Sequence, residues 1–168
     1  MSADGQIRPE APGDGPAVLA LHAAAFGQKA EADLVDRLRT DGDLILSLVA
    51  VADGVVGHVA FSRLTLPAAP AVRACALAPL AVDPARQRRG IGSTLVTEGL
   101  RRLTQAGLDL VLVLGEPAYY GRFGFTTQAA QALRTPYDGP YLQALALSAE
   151  GRAARGPVSY AGAFAELS

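Results

Sequence analysis

The sequence predicts a single α/β domain with a mixed sheet, antiparallel in its N-terminal half and parallel at its centre, and helices on both faces. Three observations predict it. The runs LILSLVAV (44–51) and VVGHVAFS (55–62) are strand-like and meet across Asp53–Gly54, a strong short hairpin signal. An apolar run with a proline, a glycine turn, a helical pattern and LDLVLVL follow as a βαβ unit, whose right-handed crossover makes its strands parallel. Finally, 168 residues, 50% of them hydrophobic, suffice for one well-buried core and fall short of two. One domain is therefore expected over residues 1–168, with 1–5 as a tail.

In chain order, a first strand is expected at about Gln6 to Arg8. Pro12–Gly13–Asp14 then makes a turn whose Asp14 caps a helix carrying Val18, Leu21 and Ala25 along one side. A second helix spans Glu31 to Thr40, with Leu34, Val35 and Leu38 as its apolar stripe and Asp41–Gly42 as its stop. After the hairpin, RACALAPLAV (73–82) reads as a buried strand. Its Pro79 has no N–H to give to a ladder, which implies a bulge or a place where neighbouring strands part.

Ile91 to Ala106 is helical, with Ile91, Leu95, Val96, Leu100 and Leu103 turned inward and Gly107 closing it. Leu108 to Leu114 is apolar but for Asp109 near its start, as a strand covered on both faces should be. A short helix over Pro117 to Arg122 and two further extended segments, Tyr141 to Leu147 and Val158 to Phe164, complete the chain.

Composition excludes several function classes. The formal net charge is −1, so no global basic field draws the chain to nucleic acid or anionic lipid, and any anion site must be local. Cys75 is the only cysteine, which rules out an internal disulfide and a cysteine-built metal site. No pair of histidine and carboxylate has metal-ligand spacing, and no Ser-His-Asp order stands out, so no metal is expected. Apolar runs fall short of the roughly 18 residues of a membrane span and no leader pattern opens the chain, so a soluble cytoplasmic protein is the simplest reading.

The chemistry concentrates at Gln87-Arg88-Arg89-Gly90-Ile91-Gly92, where a strand turns into a helix. A helix N-terminus aims unpaired N–H groups and a positive dipole end at whatever precedes it, which suits phosphate oxygens. Gly90 and Gly92 remove β-carbons that would hold a pyrophosphate off, and Arg88 and Arg89 add charge at the rim. A dinucleotide fingerprint would need a third glycine where Thr94-Leu95 stands, and a Walker loop would need a lysine, of which Lys29 is the only one.

VDPARQRRGIGSTLV resembles the acetyl-CoA-binding motif of the GNAT N-acetyltransferase superfamily, with Gln87, Gly90 and Gly92 at the defining positions and Leu80, Val82 and Pro84 ahead of them. AYYGRFGF similarly resembles the family's Tyr-x-x-x-Gly-Phe element through Tyr120, Gly124 and Phe125. The two motifs in order are far more specific than either alone. The GEPAYYGRFGF form resembles an uncharacterised bacterial subgroup, which supplies no acceptor. It also departs from many relatives, which carry an asparagine after the fifth strand and a longer approach to the tyrosine.

The resemblance implies that the fourth and fifth strands splay and that the pantetheine arm of acetyl-CoA lies in the wedge. The backbone of Leu80, Ala81 and Val82 would bond the arm, and Gln87, Arg88, Arg89, Gly90, Ile91, Gly92, Ser93 and Thr94 would cradle the pyrophosphate. Tyr120 would be the general acid for the departing thiolate and contact the cofactor, while Tyr119 packs. Two carboxylates are candidates for the base: Glu116, just past the fifth strand, and Glu31, which opens the second helix in the region that forms part of the acceptor pocket. His58 and His22 read as core or surface residues. The implied activity is acetyl transfer from acetyl-CoA to a primary amine; the alternative is a non-catalytic acyl-CoA sensor of the same fold. A homodimer paired through the C-terminal strands is a common arrangement in the family.

Overall fold

A computed structural model describes residues 5–167, so that of the expected tail residues 1–4 lie outside the described part. Strand β1 (Gln6–Pro9) leads to helices α1 (Gly15–Phe26) and α2 (Ala30–Thr40), then to β2 (Leu44–Val51), β3 (Val55–Thr65) and β4 (Ala74–Val82). Helix α3 (Ile91–Gln105) crosses to β5 (Leu110–Leu114), and the short α4 (Pro117–Tyr120) follows. The remainder holds β6 (Leu133–Arg134), β7 (Leu142–Ala146), α5 (Ala149–Ala153), β8 (Gly156–Pro157) and β9 (Ser159–Tyr160). This is the mixed α/β architecture expected.

The main sheet runs β1-β2-β3-β4-β5-β7, with β9 added on β3. β1 to β4 pair antiparallel, β4 and β5 parallel, and β5 and β7 antiparallel. Asp53 and Gly54 both take positive φ, 53° and 105°, as the tight turn of the β2–β3 hairpin requires.

Alternation along the strands sorts the core into two layers. Leu48, Val59, Phe61, Cys75, Leu77, Val111 and Val113 face α3 and pack on its Ile91, Leu95, Val96 and Leu103. Their neighbours point the other way: Val49 meets Val18 and Val35 of α1 and α2, while Ala74, Ala76, Leu110 and Leu112 pack under the C-terminal segment.

The parallel pairing of β4 with β5 lasts only from Ala74↔Leu110 to Leu77↔Val113. Beyond Leu77, β4 stays paired with β3, as Leu80↔Val59, Ala81↔His58 and Val82↔Gly57, across a register shift between Val59 and Phe61. Pro79, behind a cis peptide bond from Ala78, therefore lies both beside a bulge and where two strands part.

Two expectations need correction. Asp14 does not cap α1: its carboxylate is taken by Arg8 at 2.7 and 3.1 Å and by the Ala11 N–H at 2.7 Å, because the preceding turn brings both within reach. Val158 to Phe164 is extended only at Ser159–Tyr160. Gly162–Leu167 then winds into a 3-10 turn that sets Ala163 and Phe164 on Leu34 and Leu38 of α2, a burial no further strand position offers. The C-terminal strand pairs within its own chain, Leu64↔Tyr160 and Thr65↔Ser159.

Candidate active site

Where β4 and β5 part lie two adjoining cavities that share Leu80. One, of about 490 Å³, is at the start of α3, and the other, of about 440 Å³, is between the split strands, α2 and the C-terminal segment.

The first is built mostly from one contiguous stretch. Asp83 caps a turn over Pro84–Arg86 by accepting from the Ala85 N–H at 2.9 Å, and the Gln87 side-chain amide donates to the Val82 carbonyl at 3.1 Å. Arg88 and Gly90 then take positive φ, 68° and 86°, and turn the chain into α3. An added β-carbon at Gly90 would meet nothing within 4 Å, so glycine stands there for its dihedral angle and not for space. At Gly92 the reason is space. A β-carbon there would sit 3.1 Å from the Tyr119 hydroxyl and 3.6 Å from Val82, in the floor of the cavity.

The first helical bond of α3 runs from the Thr94 N–H to the Gly90 carbonyl, which leaves the N–H groups of Ile91, Gly92 and Ser93 without helical acceptors. Arg88, Gly90, Ile91, Gly92 and Ser93 line this cavity, as do Leu80, Val82 and Gln87. Arg89 does not: its side chain is outside the lining and exposed. Thr94 is also outside, because its hydroxyl folds back onto the Gly90 carbonyl at 2.8 Å. The Ala81 side chain is buried, in register with His58.

Sequence reasoning missed two members. The Tyr119 hydroxyl lies 3.3 Å from Ser93 Oγ, and the Arg122 guanidinium stacks over the Tyr119 ring at 4.7 Å; both residues line the cavity. Its charged residues are thus Arg88 and Arg122, both basic. The signal was available: residues three apart on a short helical turn share a face.

Tyr120 lines the other cavity. Its ring stands perpendicular to Tyr119 at 4.9 Å and packs on Phe125 at 6.0 Å. Burial, with Tyr119 adding to it, pushes its hydroxyl up to about 12, so it is fully protonated at neutral pH. Gly115 makes room for it, since a β-carbon there would be 2.5 Å from the Tyr120 ring. Gly115 is itself pinned, its N–H on the Tyr141 carbonyl at 3.0 Å and its carbonyl on the amide of buried Gln143 at 3.0 Å. This is how the short Leu114–Ala118 approach fixes the ring.

Of the two carboxylates, Glu31 lines the 440 Å³ cavity beside Tyr120 and is held by the Gln28 amide at 3.2 Å. Glu116 is exposed and lines neither cavity; its backbone carbonyl accepts the N–H groups of Tyr119 and Tyr120 at the start of α4, and its side chain makes no cap there.

His22 and His58 are core residues, and they are joined. His22 Nε2 and His58 Nδ1 are 2.8 Å apart, and His58 Nε2 is 2.8 Å from Ser47 Oγ, which donates to Glu10. Arg39 pairs with the other Glu10 oxygen. Burial raises the Glu10 carboxyl, but nearby His58 at 3.6 Å, the bond from Ser47 and the Arg39 charge outweigh it and hold it at about 2. Burial is the main cause that drives His22 down to about 3, and His58 adds to it. His22 stacks in parallel on Phe26, which lines the 440 Å³ cavity.

No described helix is long and apolar enough to cross a membrane, and the described residues hold no cluster of three or more His, Cys, Asp or Glu able to bind a metal.

Comparison with known proteins gives the family. Residues 16–125 match the model of the acetyltransferase (GNAT) family. The chain is 43% identical over 135 residues to the uncharacterized N-acetyltransferase YhbS of Escherichia coli strain K12, covering 79% of this chain and 80% of that protein. It is 40% identical over 123 residues to YjhQ of the same strain, covering 70% and 65%. The crystal structure of Escherichia coli YhbS in complex with CoA superposes with a TM-score of 0.90 at 38% identity, covering 98% of this chain and 94% of that one. A GNAT acetyltransferase of Brucella melitensis in complex with acetyl-CoA gives 0.82 at 36%, covering 97% and 99%. The split strands, the glycine turn and the tyrosine thus stand in a chain that belongs to the GNAT family of acetyltransferases.

Proposed function

We propose that this protein transfers the acetyl group of acetyl-CoA to a primary amine of a small molecule or peptide, by direct attack in a ternary complex. One observation carries the reading: a cation- and N–H-lined anion pocket and a cavity holding a half-buried, protonated tyrosine adjoin at Leu80, on a stretch of β4 edge that β5 leaves unpaired. The pyrophosphate fits the N–H groups of Ile91 to Ser93 with Arg88 and Arg122. The pantetheine arm fits the open edge of β4 from Ala78 to Val82, where it replaces the strand that β5 ceases to be. Solved relatives in complex with CoA and acetyl-CoA support the choice of cofactor.

In the reaction the neutral amine attacks the thioester carbonyl, a C–N bond forms, and the C–S bond breaks as the tetrahedral intermediate collapses. The amine proton passes toward Glu31 through water, Glu116 being outside the cleft. Tyr120 donates a hydrogen bond to the departing thiolate. Complete transfer from a hydroxyl near 12 to a thiolate near 8.5 is uphill by roughly 5 kcal/mol, so the stabilisation comes from donating the bond, and solvent completes protonation.

The test has two arms. Acetyl-CoA should raise the melting temperature, since a ligand of the native state alone stabilises it. Release of free CoA thiol with an amine panel should then fall about 100-fold in kcat for Tyr120→Phe, while the acetyl-CoA shift persists. Binding without thiol release on any amine would return the sensor reading, and unchanged turnover in Tyr120→Phe would remove the tyrosine from the chemistry.

A further inference from the structure

The acceptor end of the cleft has a composition of its own. Beyond Leu114 and Tyr120 its walls are Phe26 at the end of α1, Leu34 of α2, Tyr137, Tyr160 and Phe164. The last three form one aromatic wall, Tyr137 meeting Tyr160 edge-on at 4.9 Å and Tyr160 meeting Phe164 at 5.3 Å. Glu31 is the only charged residue in the lining.

Two large apolar side chains are left open here. Phe26 is 42% and Leu114 51% exposed, and with Tyr141 they are the exposed large hydrophobics of the described molecule. Both line this cavity. Apolar surface concentrated around a concave site marks something that covers it.

We propose, resting on the acetyltransferase reading above, that the acceptor is a small primary amine carried on an aromatic or branched apolar body with a single cationic centre. The body fits between Phe26 and the Tyr137–Tyr160–Phe164 wall, and its nitrogen lies toward Glu31 and the thioester. The volume, about 440 Å³ including the acetyl end of the cofactor, suits a ligand of this size. A polyamine or a lysine within a basic segment would bring further charges that meet no second carboxylate in the lining. The same apolar walls favour the neutral amine over the ammonium, and the neutral form is the nucleophile.

The experiment compares CoA-thiol release with 2-phenylethylamine, ethylamine, spermidine, a lysine-containing basic peptide and a peptide with N-terminal phenylalanine. The expected order puts 2-phenylethylamine first, with kcat/KM about 100-fold above ethylamine. Phe26→Ala, at a partly exposed position, should lower that ratio about tenfold and leave the acetyl-CoA melting shift unchanged. A ratio near one, or a lead for spermidine or either peptide, overturns the acceptor class while acetyl transfer stands. Thiol release with none of the amines overturns acetyl transfer itself, and the acceptor class with it.

Discussion

The two ends of the cleft are built on opposite plans. The anion end is backbone: a positive φ at Arg88 and Gly90, three free N–H groups and a missing β-carbon, nearly all within residues 87–93. The other end, where we propose the acceptor sits, is side chain, gathered from α1, α2, the β4–β5 split and residues 137–164. A ligand part common to many proteins can be held by dihedral angles and amides, which need only two glycines to specify. A ligand part peculiar to one protein needs rings and a carboxylate brought together by the tertiary fold, and no short stretch of sequence records it.

The contrast can be broken at the hinge between the ends. Gly115→Val places methyl groups where the Tyr120 ring lies, since even a β-carbon would be 2.5 Å away. We expect kcat to fall at least about 100-fold while acetyl-CoA binding, measured by calorimetry, changes little. Equal loss of both would mean that the ends are one unit.

A second prediction concerns the polar chain behind Phe26. The folded pKa of His22, about 3, lies below its ordinary value of 6.5, so the unfolded chain takes up a proton that the folded one refuses. Stability is therefore lost as pH falls from 6.5 toward 3, by about 2 kcal/mol between pH 6.5 and 5. Glu10, held at about 2 against an ordinary 4.5, adds a further loss below pH 4.5. Chemical denaturation at several pH values measures the slope, and a His22→Asn variant with the same slope between pH 6.5 and 5 would reassign it.

The smallest expected effects sharpen the anion end. Arg122→Ala should weaken CoA binding about tenfold with a shallower salt dependence, and Arg89→Ala less than about twofold, because only the first guanidinium lines the cavity. The reverse order would restore the paired arginines that the sequence suggests.

Sequence made the anion end legible because its determinants are local. Pro79, Gly90, Gly92 and Tyr120 each mark a backbone event or a motif position, and the structure places each at the split, the turn or the cleft. Arg89 and Thr94 show the limit, since adjacency along the chain does not say which way a side chain leaves a turn. Gln143 lies in an otherwise apolar run, LQALAL, and its hold on Gly115, 28 residues away, exists only after β5 and β7 pair. The partnership of His22 with His58 likewise needs α1 to lie on β3. The role of Asp14 is not legible in its local turn, because Arg8, which the β1 turn brings back to it, takes its carboxylate.

The chain through His22, His58 and Ser47 also supplies an internal reporter. Because Ser47 gives its one proton to Glu10, its oxygen must accept from His58 Nε2; in the tautomer that carries this proton, His58 Nδ1 accepts from His22 Nε2. Each imidazole is locked in one tautomer, and the protein has only two histidines. Two ring N–H resonances, shielded from solvent exchange and assignable without mutagenesis, should therefore appear in a nitrogen-15 spectrum. One of them belongs to a ring stacked on Phe26, so an acceptor entering the cleft would announce itself as a chemical-shift change at a nucleus it never touches.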